Sequence, residues 1–243
     1  FKFFHSMFLI FFSFSKSLFL LFKKKPNLIF GMGGYSSFPV CLASKLMGIP
    51  FVIYENNLHV GKANKFLLPF AKKIIVSYAE LDGIPSKHRD KVNEVGNIIR
   101  EEIIKFSFKL KSKSNKEKLA ILVLGGSQAA KIFAEKLPHI FEKCEKSNIS
   151  LKIFQQCLPS QNNNLENFYK KLNIDYEIFN YSKNIIKYFS MTDLAITRSG
   201  SSMLAELLNA RIPFISVPLP SSADNHQLKN AIYYEKKGYS YLI

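Results

Sequence analysis

From Asn27 onward the chain alternates between short unbroken apolar runs and longer stretches whose apolar residues recur every three or four positions. The runs read as buried strands and the spaced stretches as amphipathic helices. The first half gives strand-like "NLIF", a helix to Met47 closed by Gly48, "FVIYE", a helix near 62–70 and "KIIVSY". The segment "SFKLKSKSNKEK", residues 107–118, is polar and charged and reads as a linker. The alternation restarts with "LAILVL", a helix over 128–147, "LKIFQQ", a helix near 161–172 and "YEIFN". A helix near 184–191, "LAIT", a helix over 202–209, "FISVPL", a helix over 224–237 and "SYLI" complete it. Strands regularly separated by helices predict an α/β protein with parallel sheets covered on both faces. The expected domains are 1–106 and 119–243. "GGYSSFPVCLASKLMGIPFVIYEN" and "RSGSSMLAELLNARIPFISVPL" echo each other, one on each side of the linker. Two similar halves with a cleft between them follow, with ligands expected at the carboxyl ends of the strands.

The N-terminal stretch "FKFFHSMFLIFFSFSKSLFLLFKKKP" is apolar but interrupted by Lys16 and several serines. Its unbroken run, Met7 to Phe12, falls far short of the ~20 residues of a spanning helix, and no small-residue cleavage site follows. Phe4, Phe8, Phe11 and Phe14 recur at helical spacing. That stripe suits either a core helix or a helix lying on a membrane. The chain opens with Phe rather than Met, so its true start is expected to lie upstream.

At 243 residues and 47% hydrophobic content the chain can bury a sizeable core. Cys41, Cys144 and Cys157 share no short spacing, so neither a zinc pattern nor a disulfide framework is present. The net charge of +16 invites a nucleic-acid partner, but only four of the 34 basic residues are Arg. Bidentate phosphate or base contacts favour Arg, and no nucleic-acid signature appears, so no nucleic-acid partner is expected. An anionic membrane surface or anionic ligand remains in keeping with the charge.

Three strand-to-helix junctions carry Gly or Ser: Gly31–Ser37, Gly125–Ser127 and Arg198–Ser202. Unpaired N–H groups at such a helix start suit an anion, although a plain turn is the commoner case. None matches G-x-G-x-x-G and none carries a P-loop Lys, which disfavours a dinucleotide or NTPase site. In "RSGSSMLAE", Glu206 falls about one turn into a helix. It serves there either as a partner of the helix dipole or as an acceptor for two ribose hydroxyls. "VPLPSSADNHQLKNA" places Asp224, His226 and Gln227 at a helix start; Asp224 suits a cap, while His226 and Gln227 suit the cleft. No D-x-D is present, so no metal site and no cofactor are expected.

"GMGGYSS", "YENN", "EVGNIIR", "LVLGGSQAA", "TRSGSSMLAE" and "PLPSSADNHQLKNA" run in order along nearly the whole chain. On these motifs the chain resembles the MurG family of peptidoglycan glycosyltransferases. The resemblance implies a GT-B fold of two Rossmann-like domains with parallel sheets facing a cleft. It implies inverting, metal-independent transfer of N-acetylglucosamine from UDP-N-acetylglucosamine to lipid I, giving lipid II, at the cytoplasmic face of the bacterial inner membrane. It also implies donor contacts from Asn57, Arg100, Ser127 and Ser182, from Ser201, Ser202, Met203, Leu204, Ala205 and Glu206, and from Gln227. Among these, Ser127 holds the diphosphate, Ser182 frames the uracil, Glu206 takes the ribose and Gln227 the sugar. Gly33, Gly34, Tyr35 and Glu55 fall on the acceptor side. Phe4, Phe8, Phe11 and Phe14 match the family's membrane-associating patch.

The departures from the pattern are specific. The family's first Gly-rich loop, with its His, is not in this sequence, which leaves Glu55 as the candidate catalytic group. Tyr54 stands where the family has His, Ala129 where it has Gly, and Ser182 where it has an apolar residue. The family's final helices are also missing, so the chain reads as a fragment expected to be inactive alone. The alternatives are a UDP-sugar epimerase of the same fold and a non-catalytic donor-binding remnant.

Overall fold

A computed structural model describes the backbone of residues 2–107, 117–172 and 174–243. Side chains are described within these segments except at 2–7, 107, 127–130 and 223. The chain divides into two compact units, Phe1–Ile98 and Ile99–Ile243.

The first unit opens with α1 (Lys2–Lys24), followed by β1 (Ile29–Gly31), α2 (Gly34–Leu46), β2 (Phe51–Glu55), α3 (Lys62–Leu67), β3 (Lys73–Val76) and β4 (Val92–Glu94). Its four strands run parallel in the order β1-β2-β3-β4. Every residue of β2 is buried, as an inner strand covered on both faces requires. Phe51, Ile53, Leu67, Leu68 and Ile74 fill the core. Gly31 is required by close approach: a Cβ there would sit 2.6 Å from the Cys41 sulfur of α2. Burial against this strand pushes the Cys41 thiol up to about 11.

Helix α1 packs on α2 through Phe14, Ser17, Leu18 and Leu21, of which Ser17 and Leu21 are buried and the others half-buried. Phe8, Phe11, Phe19 and Phe22 are between 64 and 70% exposed on another side of the helix. The expected stripe therefore needs correction. Phe14 belongs to the packed side, the exposed stripe continues to Phe19 and Phe22, and Phe4 lies outside the described side chains. Among the described residues no helix is long and apolar enough to cross a membrane.

The second unit comprises α4 (Glu101–Ser107), β5 (Leu119–Leu124), α5 (Gly126–Lys146), β6 (Leu151–Gln156), α6 (Asn162–Lys171), β7 (Asp175–Phe179), α7 (Ile185–Met191), β8 (Leu194–Thr197), α8 (Ser201–Asn209), β9 (Phe214–Ser216), α9 (His226–Lys236) and β10 (Ser240–Leu242). Its six strands are all parallel, in the order β10-β9-β8-β5-β6-β7. This is the doubly wound order: the chain moves outward from β5 to β7, then restarts on the other side of β5 with β8. The core under α5 and α6 holds Val123, Phe141, Ile153 and Tyr169.

The unit boundary precedes the linker expected over 107–118, because α4 packs on α7 and α8 and buries Ile103 completely. Most of that linker, residues 108–116, lies outside the described residues.

Phe141 is 1% exposed, so Phe141→Ala should cost about 3–5 kcal/mol. Phe19→Ala, on the open side of α1, should stay within about 0.5 kcal/mol of wild type. Urea unfolding of both variants measures the contrast.

Candidate functional site

The sheet of the second unit changes winding direction between β5 and β8, which pair directly. Chains leaving adjacent strands in opposite directions open a crevice at their carboxyl ends. There the structure has a cleft of about 460 Å³. Leu124, Gly125 and Gly126 line it from β5, Thr197, Arg198 and Gly200 from β8, and Gln156, Met203, Leu219 and Gln227 from their neighbours.

Two helices begin at this cleft. Helix α5 starts at Gly126, whose φ of +61 suits glycine. No side chain caps the helix from Gly125, and the Gly126 N–H donates to Gln156 Oε1 over a long 3.3 Å. Helix α8 starts after Gly200, again without a side-chain cap. Both ends present N–H groups and partial positive charge to the cleft. At its floor Gln227 Oε1 accepts from the Leu219 N–H at 2.9 Å, which ties α9 to the exit of β9. Asp224 and Asn225 precede α9 in the left-handed region, a conformation that Asp and Asn tolerate better than other non-glycine residues.

Glu206 lies farther into α8 than its spacing implied. It is the sixth residue of the helix, beyond the first turn where the dipole acts. Its partner is instead Arg100, whose Nε donates to Oε1 and Nη2 to Oε2, both at 2.8 Å. The Glu206 side chain is 10% exposed and that of Arg100 45%. The hydrogen bond to Glu206 raises the Arg100 pKa further. Arg100 is held at the start of α4, where its carbonyl accepts from the Ile103 N–H at 2.9 Å. A fork-on-carboxylate pair uses one lone pair on each oxygen, leaving the others available to a hydroxyl.

Of the residues expected at the donor, Met203 and Gln227 line the cleft. The Ser127 backbone sits in the first turn of α5, and its side chain lies outside the described residues, as does that of Ala129. Leu204 and Ala205 are buried in the core and offer a ligand only backbone. Ser201 is buried and Ser202 exposed. Ser182 is engaged locally, its Oγ accepting from the Asn184 N–H at 3.2 Å. Gln156 and Arg198 line the cleft without having been assigned a role from sequence. A polar pair ending the buried run "LKIFQQ" was the available signal for Gln156.

In the first unit, Glu55 ends β2 with its side chain turned into the protein, 5% exposed. Its Oε1 accepts from the Asn57 N–H at 3.2 Å and from Asn57 Nδ2 at 3.1 Å. Its Oε2 accepts from the Gly61 N–H at 3.0 Å and from Asn64 Nδ2 at 2.9 Å. Four donors on a buried carboxylate describe an organiser of the 55–64 loop, with Asn57 among the residues it orders. Gly33 and Gly34 enter α2 with positive φ, and Tyr35 is 86% exposed. The Tyr54 hydroxyl pairs with Ser77 Oγ at 2.7 Å and receives the Ile98 N–H at 3.0 Å.

Two units with all-parallel sheets, one of them doubly wound with glycine-led helix starts at its switch point, define an α/β protein of the GT-B class. The chain belongs to glycosyltransferase family 28: residues 1–76 match the N-terminal domain of that family and residues 120–243 its C-terminal domain. It is similar to the UDP-N-acetylglucosamine--N-acetylmuramyl-(pentapeptide) pyrophosphoryl-undecaprenol N-acetylglucosamine transferase of Pelagibacter ubique, with 33% identity over 98% of this chain and 65% of that protein. The transferase of the same name from Rickettsia canadensis is 36% identical over 90% of this chain and 62% of its own length. This chain thus spans somewhat under two thirds of these curated relatives. Among solved structures, MurG of Acinetobacter baumannii superposes with a TM-score of 0.76 at 27% identity, over 97% of this chain and 66% of that one. A UDP-GlcNAc 2-epimerase from Neisseria meningitidis shares the fold, with a TM-score of 0.64 at 16% identity over 95% of this chain and 68% of that one.

Replacing Glu55 by Gln puts an amide donor against N–H groups that already donate. At about 1–3 kcal/mol per buried group left unsatisfied, Glu55→Gln should lower stability by about 2–4 kcal/mol. It should also speed hydrogen exchange at the Gly61 amide. Unfolding and exchange measurements read both, and an unchanged Gly61 amide would release Glu55 from this role.

Proposed function

We propose that the protein carrying this chain transfers N-acetylglucosamine from UDP-N-acetylglucosamine to lipid I, forming lipid II, with inversion and without a metal ion. The observation that carries the reading is the switch-point cleft, with two glycine-led helix starts, in a family 28 chain whose curated relatives bear that transferase name. In the reaction the acceptor hydroxyl oxygen bonds to the anomeric carbon. The bond from that carbon to the phosphate oxygen breaks, its electron pair leaves with UDP, and the hydroxyl proton passes to a base. Aligned N–H dipoles stabilise the charge that develops on the leaving group.

On this reading the Gly125–Ser127 turn takes the diphosphate and Gln227 the sugar. Glu206, its carboxylate plane set by Arg100, takes the ribose hydroxyls through its remaining lone pairs. Arg100 then acts chiefly as a positioning residue. Ser182 stands at the uracil, Asn57 at the donor, and Gly33, Gly34, Tyr35 and Glu55 on the acceptor side, where Glu55 positions rather than reacts. Transfer to an epimerase reading has less support, because the epimerase likeness extends to the fold alone.

Product formation from UDP-N-acetylglucosamine and a lipid I analogue, followed in excess chelator, tests the proposal. Turnover should persist, and Glu206→Ala should weaken UDP binding by about 1.5–3 kcal/mol, the scale of a hydrogen bond to a charged group. Turnover that stops in chelator and returns with Mg²⁺ would sink the metal-free reading.

A lipid acceptor requires the protein to reach a membrane surface, which we place at the cytoplasmic leaflet as a peripheral attachment. Phe8, Phe11, Phe19 and Phe22 supply exposed apolar area, and Lys16 and Lys23 to Lys25 supply charge. Each Lys near an anionic surface contributes about 1 kcal/mol. Flotation with anionic vesicles should occur and weaken with salt, and neutral vesicles should bind less. Phe8→Ser with Phe11→Ser should abolish it without loss of folding, since neither ring is in the core.

A further inference from the structure

The loops that follow β5, β6 and β7 leave the sheet side by side, and the sheet soon ceases to hold them together. The last ladder pairs are Val123 with Gln155 and Gln156 with Phe179. One more backbone bond, from the Cys157 N–H to the Phe179 carbonyl at 3.1 Å, closes the β6–β7 edge. Past it, side chains take over. Asn180, directly after β7, donates from Nδ2 to the Cys157 carbonyl at 2.9 Å and to Asn162 Oδ1 at 2.8 Å. Asn162, the first residue of α6, donates back from Nδ2 to Asn180 Oδ1 at 3.3 Å. Its Oδ1 also accepts from the Cys157 thiol at 3.1 Å. The Asn180 carbonyl accepts from Gln156 Nε2 at 3.2 Å, and Gln156 Oε1 accepts from the Gly126 N–H at 3.3 Å.

These bonds form one relay from the start of α6, across the exits of β7 and β6, to the start of α5. Three half-buried amide side chains and a buried thiol are spent on it, and each bond fixes a loop rather than a strand. Amides linked in series polarise one another and hold an orientation better than single bonds do. Although Gln156 lines the cleft, its amide oxygen and nitrogen are both engaged by the loops on either side. At one end of the relay lies the glycine turn that opens α5. At the other, Asn180 leads directly into Tyr181 and Ser182. A ligand that touches both ends gains from its own connection only where their spacing is held.

We propose that Asn180 and Gln156, backed by Asn162, are positioning residues that gauge the length of the nucleotide. They hold the 181–182 segment and the Gly125–Ser127 turn at the one spacing that a base and a diphosphate joined through ribose can span. The inference rests on the donor reading above, in which these two places take the uracil and the diphosphate. It adds neither a contact nor a charge to either place, and assigns the selection of ligand length to side chains behind them. A role limited to fastening the edge strand would not distinguish a ligand that spans both places from one that occupies a single place.

UDP spans the two places, while uridine and pyrophosphate occupy one each. Binding is compared in wild type, Asn180→Ala and Asn162→Ala, by calorimetry for UDP and by NMR titration for the smaller probes. Both variants should lose about 3- to 10-fold in UDP affinity, the range of one or two ordinary hydrogen bonds. Uridine and pyrophosphate should each change by less than about twofold. A loss for either small probe as large as that for UDP, or no loss for UDP, would overturn the assignment and leave the donor reading standing. Wild-type protein that binds none of the three would overturn both. If Asn180→Ala does not fold, Asn162→Ala carries the comparison, because on this assignment it acts on the ligand only through Asn180.

Discussion

Strands β5 and β8 lie side by side, and the chain leaves them toward opposite edges of the sheet. The candidate donor cleft of the second unit follows from that divergence. Parallel strands buried on both faces must be apolar along their length, so polar chemistry is confined to their ends. At the carboxyl ends the two following helices turn away from one another, and no element of the sheet fills the gap. The residues entering the gap are therefore turn residues and first-turn residues, whose N–H groups lack intrahelical partners. Gly126 with its positive φ makes the first of these turns tight enough to bring backbone, rather than side chain, to the cleft.

Three charged side chains illustrate how differently this protein treats charge away from water. Glu55 is surrounded by N–H donors, which replace hydration without cancelling charge and fix a loop in the process. Glu206 is cancelled by a bidentate Arg, so the pair contributes orientation but little net potential. Arg198 is stacked and clamped by neutral groups, so its charge is unspent. Among the described residues the cleft combines two helix starts with the Arg198 guanidinium, a balance that favours an anion.

The strands were largely legible from sequence. "FVIYE", "LAILVL", "LKIFQQ" and "LAIT" coincide with β2, β5, β6 and β8, because interior strands of a parallel sheet must be unbroken apolar runs. Strand β4 and helix α4 were not, since three and seven residues are too short to establish a period. That omission also displaced the domain boundary, which depends on Ile103 being buried with the second unit. The Gly-led turns of the cleft were visible as motifs. The Arg100–Glu206 pair was not, because 106 positions separate its members and each has an adequate local explanation. Spacing placed Glu206 about one turn into its helix, near the dipole; the structure instead pairs it with Arg100. Phe14 fell to the same kind of error: periodicity identifies a face, but packing on α2 decides which flank of that face is covered.

Tyr54 shows how a large polar side chain is accommodated at the end of a buried strand. The residue is 3% exposed, so its ring must be met by packing and its hydroxyl by a partner. The ring stacks with Phe30, its centroid 6.2 Å away. The hydroxyl reaches past the end of β2 to Ser77, just beyond β3, and to the Gly96 carbonyl at 3.3 Å, while accepting the Ile98 N–H. One group thus links the exits of three adjacent strands. Its neighbour Glu55 does the corresponding work on the other side of the strand, ordering residues 57–64. Alternation along β2 sends these two side chains to opposite faces of the sheet, and each fastens the loop material on its own face. The carboxyl edge of the first unit is held by the hydrogen bonds of Tyr54 and Glu55, which fix its backbone before any ligand arrives.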